Sequence, residues 1–133
     1  AYAAPSYLEK HGKPETIADL DRHRLVTFGE PTPPYLRDLN FLDVVGRVEG
    51  SPRPAVLQIN NLLSIKRAVQ CGAGIAMLPD YMVEKNSGLV RVLRDMEVPS
   101  FDTYFCYPEV LKNSAKLNVF RDFLFTKARS WSY

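Results

Sequence analysis

The chain has 133 residues, of which 46% are hydrophobic and 24% are charged, and its formal net charge is +2. This is the size of one folded domain with its own core, and no apolar run approaches the roughly 20 residues of a membrane-spanning helix. Lysines and arginines are scattered among acidic residues, so no basic stripe could follow a nucleic-acid backbone. Neither membrane insertion nor direct nucleic-acid binding is predicted.

Segments with the period of a strand alternate along the chain with segments that have the period of a helix. In chain order the sequence predicts a helix over residues 5–11, a helix over 17–23, a strand over 25–28, a surface excursion over 30–40, strands over 41–49 and 55–59, a helix over 62–71, a strand over 74–78, a helical turn over 80–85, strands over 89–93 and 103–107, and a helix over 115–130. This alternation predicts an α/β fold with a mainly parallel sheet flanked by helices.

Several helix ends have clear signals. Thr16 and Asp19 have the spacing of a capping box, and either Asn60 or Asn61 can cap the helix that Gly72 ends. The last helix follows Ser114 as its cap. Its predicted apolar stripe consists of Leu117, Phe120, Phe123 and Leu124. The aromatic residues of this helix, Phe120, Phe123 and Phe125, are expected to pack rather than to form a recognition surface.

The segment Gln58–Pro79, QINNLLSIKRAVQCGAGIAMLP, combines a strand end, a helix and a tight return to the sheet. A helix that starts at the carboxyl end of a strand presents free backbone N–H groups to the sheet edge where α/β folds bind ligands. Gly72 and Gly74 permit the close return, because a Cβ atom would crowd the turn. By itself, this unit fits a ligand-binding edge and a purely structural role equally well.

Cofactor and metal motifs are not found in the sequence. The GAG pair follows a helix and precedes a strand, which reverses the dinucleotide fingerprint, and no Gly-Lys-Ser/Thr of a P-loop occurs. Cys71 and Cys106 form neither a CxxC pair nor a metal-ligand spacing. We expect two buried free thiols, which suit a reducing cytoplasm, and a disulfide between them is the alternative. No cofactor and no metal are predicted.

Among enzyme classes, a hydrolase with a Ser-His-Asp triad is the one for which the sequence supplies candidate residues. Its candidate members are His11, His23, Ser6, Ser64, Asp19 and Asp80. No nucleophile elbow links them, and their spacing matches no known triad order. The acidic residues alternate with basic ones, as on a solvated face. We therefore predict no catalytic residue and expect that the chain is not an enzyme.

Six segments stand in a distinctive order and spacing. They are APSYLEKHGKP (4–14), DLDRH (19–23), QINNLLSIKRAVQCGAGIAMLPDYMV (58–83), LVRVL (89–93), YFCYP (104–108) and KLNVFRDFL (116–124). Together they resemble the effector-binding domain of LysR-type transcriptional regulators, which is similar to a type II periplasmic solute-binding fold. Each segment alone is common, so the order carries the resemblance. The proline-rich residues 30–34 depart from the family's pattern.

The resemblance covers nearly the whole chain but only the later half of the family's domain. It implies that residues 1–97 form the second subdomain and that residues 98–133 supply a return strand and a C-terminal helix to the first. It implies a small-molecule effector as the partner, and contact with DNA only through an N-terminal winged helix-turn-helix that is missing from this sequence. It also implies a cytoplasmic homo-oligomer.

The family's effector lies in a cleft between the two subdomains, and the resemblance implies which residues of this chain face it. They are Thr27, Phe28 and Gly29 at a strand end and Asn60, Asn61 and Leu62 at a helix start. The threonine would exchange a hydrogen bond, the phenylalanine would form an apolar floor, and the helix-start amides would favour a carboxylate. The alternative function is an extracytoplasmic solute-binding protein of a transporter, which shares the fold and the cleft.

Overall fold

The structure is a computed structural model, and it describes residues 1–100 and 102–129. The chain divides into two compact units, Ala1–Pro99 and Ser100–Tyr133. The first unit contains all the strands of the described residues, and the second contains the last helix. Within the described ranges, no helix is both long and apolar enough to cross a membrane.

The order of elements follows the predicted alternation. The elements are β1 (Tyr2–Ala3), α1 (Pro5–His11), a 3₁₀ helix (Ile17–Arg22), β2 (Leu25–Thr27), a 3₁₀ helix (Pro34–Asn40), α2 (Phe41–Val44), β3 (Ala55–Gln58), α3 (Leu62–Gln70), a 3₁₀ helix (Asp80–Met82), β4 (Val90–Arg91), a 3₁₀ helix (Glu109–Leu111) and α4 (Ala115–Arg129). The predicted α/β class is confirmed.

The strands form two pairs that residues 75–76 join. β2 pairs with β3 in parallel, and Leu25 forms a parallel bridge with the first of the two joining residues. β1 pairs with β4 in antiparallel orientation, and Tyr2 forms an antiparallel bridge with the second. The strand predicted over residues 74–78 is therefore reduced to two bridging residues, and the pairing is parallel on one side of them and antiparallel on the other.

Apolar side chains cover both faces of β2. Successive residues of a strand point to opposite faces, so neighbours in β2 belong to different clusters. Leu25 belongs to a cluster with Tyr7, Leu20, Leu42, Ile75 and Val92. Val26, the next residue, belongs to a cluster with Phe28, Ile65, Val69, Ala76 and Leu78. α1 and α2 therefore pack on one face, and α3 packs on the other. Burial on both faces explains why β2 is apolar without alternation.

Local signals place the helix ends as predicted. The Asp19 carboxylate accepts hydrogen bonds from the Thr16 amide (2.8 Å) and hydroxyl (2.9 Å), and a helix starts there, although it is a 3₁₀ helix. Asn61, rather than Asn60, caps α3, because its Oδ1 accepts the Ser64 N–H at 3.0 Å. In both cases the signal lies within three residues of the helix end.

The strand predicted over residues 41–49 is wrong, because α2 and a turn occupy this segment. The reason is Arg53, which is only 5% exposed. Its guanidinium donates to the backbone oxygens of Leu42 (3.0 Å) and Val45 (2.6 Å) and pairs with Asp21 (2.6 Å). This buried cation satisfies carbonyl groups that a one-turn helix leaves without partners.

The second unit confirms the last predicted helix but not the strand before it. No strand occurs in the described residues 102–108, so the prediction of a strand over residues 103–107 is wrong. α4 follows the predicted range, whose end at Ser130 lies outside the described residues. The predicted stripe is unevenly covered, with half-buried Leu117 and Leu124 beside Phe120 and Phe123, which are 52% and 54% exposed.

The two thiols are free, as expected, but the expectation that they are buried is wrong. Cys71 and Cys106 are both exposed. Cys71 forms the C-terminal cap of α3, and Cys106 lies in the irregular segment of the second unit. A helix end and a segment without strand pairing leave both side chains accessible.

Candidate functional site

The end of β2 and the start of α3 lie together at one edge of the sheet. β2 and β3 run in parallel, so their carboxyl ends meet at the same edge, and the Ile59 N–H donates to the Thr27 oxygen at 3.0 Å. A Cβ atom built on Gly29 would lie 1.9 Å from the Asn60 Oδ1, so this glycine packs directly against that side chain. We call residues 27–29 and 60–62 the wall.

The first half of the wall is mostly buried. Thr27 is 2% exposed, and its Oγ1 has no hydrogen-bond partner among the described residues. Phe28 is 8% exposed and packs in the cluster that contains Ile65 and Val69 of α3. The apolar floor predicted for Phe28 is therefore part of the core, and the Thr27 hydroxyl reaches a ligand only if this strand end moves.

The second half of the wall is accessible. Asn60 and Asn61 are exposed, and Leu62, the first residue of α3, is half-buried. The first amides of a helix have no acceptor within the helix. The Asn61 side chain accepts the Ser64 N–H, so the amides of Leu62 and Leu63 remain without an acceptor among the described residues. Free N–H groups at the positive end of a helix dipole attract an anion. The geometry of α3 therefore suits a carboxylate.

Asn40 contributes to this edge, and the sequence pattern does not predict its role. Asn40 ends the proline-rich excursion, and its side-chain amide bonds both backbone groups of Phe28: Oδ1 accepts the N–H at 2.8 Å, and Nδ2 donates to the oxygen at 3.0 Å. Nδ2 also lies 3.2 Å from the Thr32 hydroxyl. The contact spans 12 residues, so local pattern reading could not find it.

Asp43, which follows in α2, has a partly buried carboxyl. Burial raises the pKa of Asp43 to about 6, against the opposing effect of Arg53, and Glu30 adds to the rise. Its Oδ1 is buried and has no partner among the described residues. Asp43 lies three residues after Asn40, which contacts Phe28, and it is not part of the wall.

The residues of the hypothetical triad are engaged elsewhere. The Tyr7 hydroxyl accepts the Arg24 N–H at 2.8 Å and forms a second hydrogen bond with His23 Nδ1 at 3.1 Å, and burial lowers the pKa of His23. Among the described residues, no serine hydroxyl bonds either histidine, and His11 stacks on the Tyr7 ring at 4.5 Å between centroids. The described part of the chain also contains no cluster of ligands for a metal ion.

The family of the chain follows from comparison with known proteins. The family model described as the LysR substrate binding domain matches residues 1–129. The chain belongs to this family. No curated relative matches it.

Two solved structures from Neisseria meningitidis share the fold of this LysR substrate binding domain. The regulatory domain of CrgA, a LysR-type transcriptional regulator, has a TM-score of 0.63 and 23% identity, over 95% of this chain and 62% of that one. A structure of CrgA has a TM-score of 0.64 and 22% identity, over 95% and 43%. The chain thus spans less than two thirds of each.

These comparisons establish the fold class, which is α/β and similar to type II periplasmic binding proteins. They confirm the resemblance to LysR-type regulators over nearly the whole chain. The assignment of residues 1–97 and 98–133 to different subdomains remains a prediction.

Proposed function

We propose that this chain is the ligand-sensing part of a LysR-type regulator, and that it binds a small-molecule effector at the wall to control DNA binding and transcription. The observation that carries the proposal is the family match over residues 1–129. The position of the wall at the carboxyl ends of two parallel strands, where α/β folds bind ligands, supports it. A regulator of transcription acts in the cytoplasm.

A small carboxylate is the effector class that the wall favours. The Leu62 and Leu63 amides have no acceptor among the described residues, and the Asn60 amide group stands exposed beside them. A hydrogen bond from an amide to a charged group contributes about 1.5–3 kcal/mol. Two such bonds contribute about 3–6 kcal/mol of the roughly 8 kcal/mol that micromolar binding requires, so the opposite wall must supply the rest.

The transcriptional response follows from a difference in effector affinity between the open and the closed state of the cleft. An effector that binds the closed cleft more tightly than the open one shifts the equilibrium between the subdomains. In the parent regulator that shift would change the arrangement of the DNA-binding domains. To move the ratio of closed to open molecules from 1:99 to 99:1, the effector must bind the closed state about 10⁴-fold more tightly than the open state.

The proposal is tested by adding acetate, succinate and benzoate separately to the full-length protein while its melting temperature is followed. Binding at 100 times Kd stabilises the folded state by about 2.7 kcal/mol and raises the melting temperature by several degrees. If none of these carboxylates, and no larger organic acid, raises the melting temperature, the carboxylate assignment is wrong.

Leu62 offers a sharp test of the helix-start amides. It is the first residue of α3, where proline is well tolerated, and the preceding Asn61 has an extended backbone that also suits a following proline. Leu62→Pro removes one N–H donor, and Leu62→Ala removes only side-chain packing. We expect Leu62→Pro to weaken carboxylate binding at least tenfold relative to Leu62→Ala. Equal affinities for the two variants would exclude this amide from the site.

A homo-oligomer is part of the proposal. α4 exposes more than half of each of Val119, Phe120, Phe123 and Phe125. Apolar groups in contiguous patches of this kind favour association. We expect the 133-residue chain to self-associate in sedimentation experiments at high micromolar concentration, and a monomer under those conditions would contradict this expectation.

The alternative is an extracytoplasmic solute-binding protein, which would use the same cleft without DNA. The family match favours the regulator. The residues encoded upstream of this chain distinguish the two functions, because a winged helix-turn-helix belongs to the regulator and a signal peptide to the transport protein.

A further inference from the structure

The excursion over residues 30–40 leaves the end of β2, and its last side chain, Asn40, forms hydrogen bonds back to Phe28. The Asn40 amide accepts the Phe28 N–H (2.8 Å) and donates to the Phe28 oxygen (3.0 Å). A side-chain amide that bonds both backbone groups of one residue reproduces the pairing that a neighbouring strand provides. Phe28 is therefore held as if it were still inside the sheet.

Asn40 supplies the hydrogen-bond partner at the point where β2 no longer has a backbone partner on this edge. Val26 donates to the Ile75 oxygen at 2.9 Å, and the N–H of Phe28, two residues later, points to the same edge of the strand. At that position Asn40, rather than a backbone oxygen, accepts the bond. On the opposite edge, Thr27 is held by the Ile59 N–H at 3.0 Å.

The contact continues into the wall. Gly29, the residue after Phe28, packs against the Asn60 side chain, and Asn61 follows as the cap of α3. We propose that Asn40 is a positioning residue that fixes Phe28 and Gly29 against Asn60, and so couples the 30–40 excursion to the wall. Its importance for effector binding rests on the proposed function, but its effect on the position of Phe28 does not.

Hydrogen–deuterium exchange of the full-length protein, resolved to single amides by fragmentation, tests the positioning. Asn40→Ala should speed exchange of the Phe28 amide about tenfold and leave the Val26 amide unchanged. Asn40→Asp keeps an acceptor for the Phe28 N–H, so at neutral pH it should protect this amide better than Asn40→Ala. The matched control is Asn86→Ala, an exposed asparagine in a turn of the same unit, which should change neither amide.

Two exchange results would overturn the proposal. One is unchanged protection of Phe28 in Asn40→Ala, which would mean that other contacts hold the strand end. The other is equal loss of protection at Phe28 and Val26, which would mean that Asn40 only stabilises the fold as a whole. A change confined to Phe28 supports the proposal, because general destabilisation does not produce it.

Binding of benzoate and succinate provides a second measurement. If either binds the wild-type protein, we expect Asn40→Ala to raise Kd about tenfold and Asn86→Ala to leave it unchanged. An unchanged Kd in Asn40→Ala would overturn the role of Asn40 in effector binding. If no carboxylate binds the wild type, the carboxylate assignment fails, and the exchange result alone then decides for or against the positioning of Phe28.

Discussion

The packing of Gly29 against Asn60 makes Gly29→Ala the most informative change in the wall. The added Cβ would lie 1.9 Å from Oδ1 and 3.0 Å from Cγ of Asn60. Because non-bonded carbon and oxygen atoms need about 3.5 Å, the Asn60 amide group must swing away by about 1.5 Å. Asn60 is exposed, so the swing takes its side chain into solvent rather than into the core.

The stability of Gly29→Ala should therefore stay close to that of the wild type. The steric cost is confined to one flexible side chain, and the loss of backbone freedom in the unfolded chain favours alanine by about 0.4–1 kcal/mol. We expect the free energy of unfolding to change by less than about 1 kcal/mol, which is roughly a 5 °C change in melting temperature. Carboxylate affinity should nevertheless fall about tenfold, because Asn60 no longer faces the α3 amides.

A double-mutant cycle separates this mechanism from general damage. In an Asn60→Ala background no amide remains to be displaced, so adding Gly29→Ala should change the affinity no further. Affinity is measured by calorimetric titration with the carboxylate that binds most tightly, and stability by thermal unfolding. Additive losses of affinity, or a loss of more than about 3 kcal/mol of stability in Gly29→Ala, would refute the proposed packing.

Four further changes have defined outcomes in thermal unfolding. Asn61→Ala removes the α3 cap and should cost about 1 kcal/mol. Gly74→Ala should cost about 3 kcal/mol or more, because its Cβ would lie 2.4 Å from the backbone oxygen of Arg24, which cannot swing away as a side chain does. Asp43→Asn should raise stability at pH 7 and change it little at pH 4: the folded-state pKa of about 6 exceeds the usual value of 3.8, so ionisation destabilises the fold as pH rises between them. Thr27→Val should stabilise by about 1 kcal/mol, because it replaces a buried hydroxyl that has no partner among the described residues. An unchanged melting temperature would contradict each of these expectations, and for Asp43→Asn the decisive value is the one at pH 7.

The features that the sequence predicted well are those whose causes lie within a few residues. The Thr16–Asp19 pair and the Asn61 cap each act across three residues, and both form. The β2 segment is apolar because both of its faces are covered, and its burial is as predicted. The order of the six segments then supplied the family resemblance, which no single segment could have given.

The failures have causes that lie farther along the chain. The segment after residue 40 has the composition of a strand, but Arg53 folds back and satisfies the carbonyl groups of a short helix there. Asn40 looks like an ordinary loop residue until the fold brings it to Phe28, 12 positions earlier. Cys106 has aromatic neighbours, but the segment finds no strand partner among the described residues and remains exposed. Each outcome depends on a tertiary contact, which local pattern does not encode.

The distribution of unsatisfied polar atoms supports the location of the wall. In the described ranges, the buried side-chain atoms without a hydrogen-bond partner are Thr27 Oγ1 and Asp43 Oδ1. One belongs to the wall, and the other lies three residues after Asn40, which holds the wall in place. A buried polar atom without a partner costs about 1–3 kcal/mol, and folded proteins concentrate such costs at functional sites. A movement of the β2 end that gave the Thr27 hydroxyl a partner would recover part of this energy, so this edge is suited to a change on effector binding.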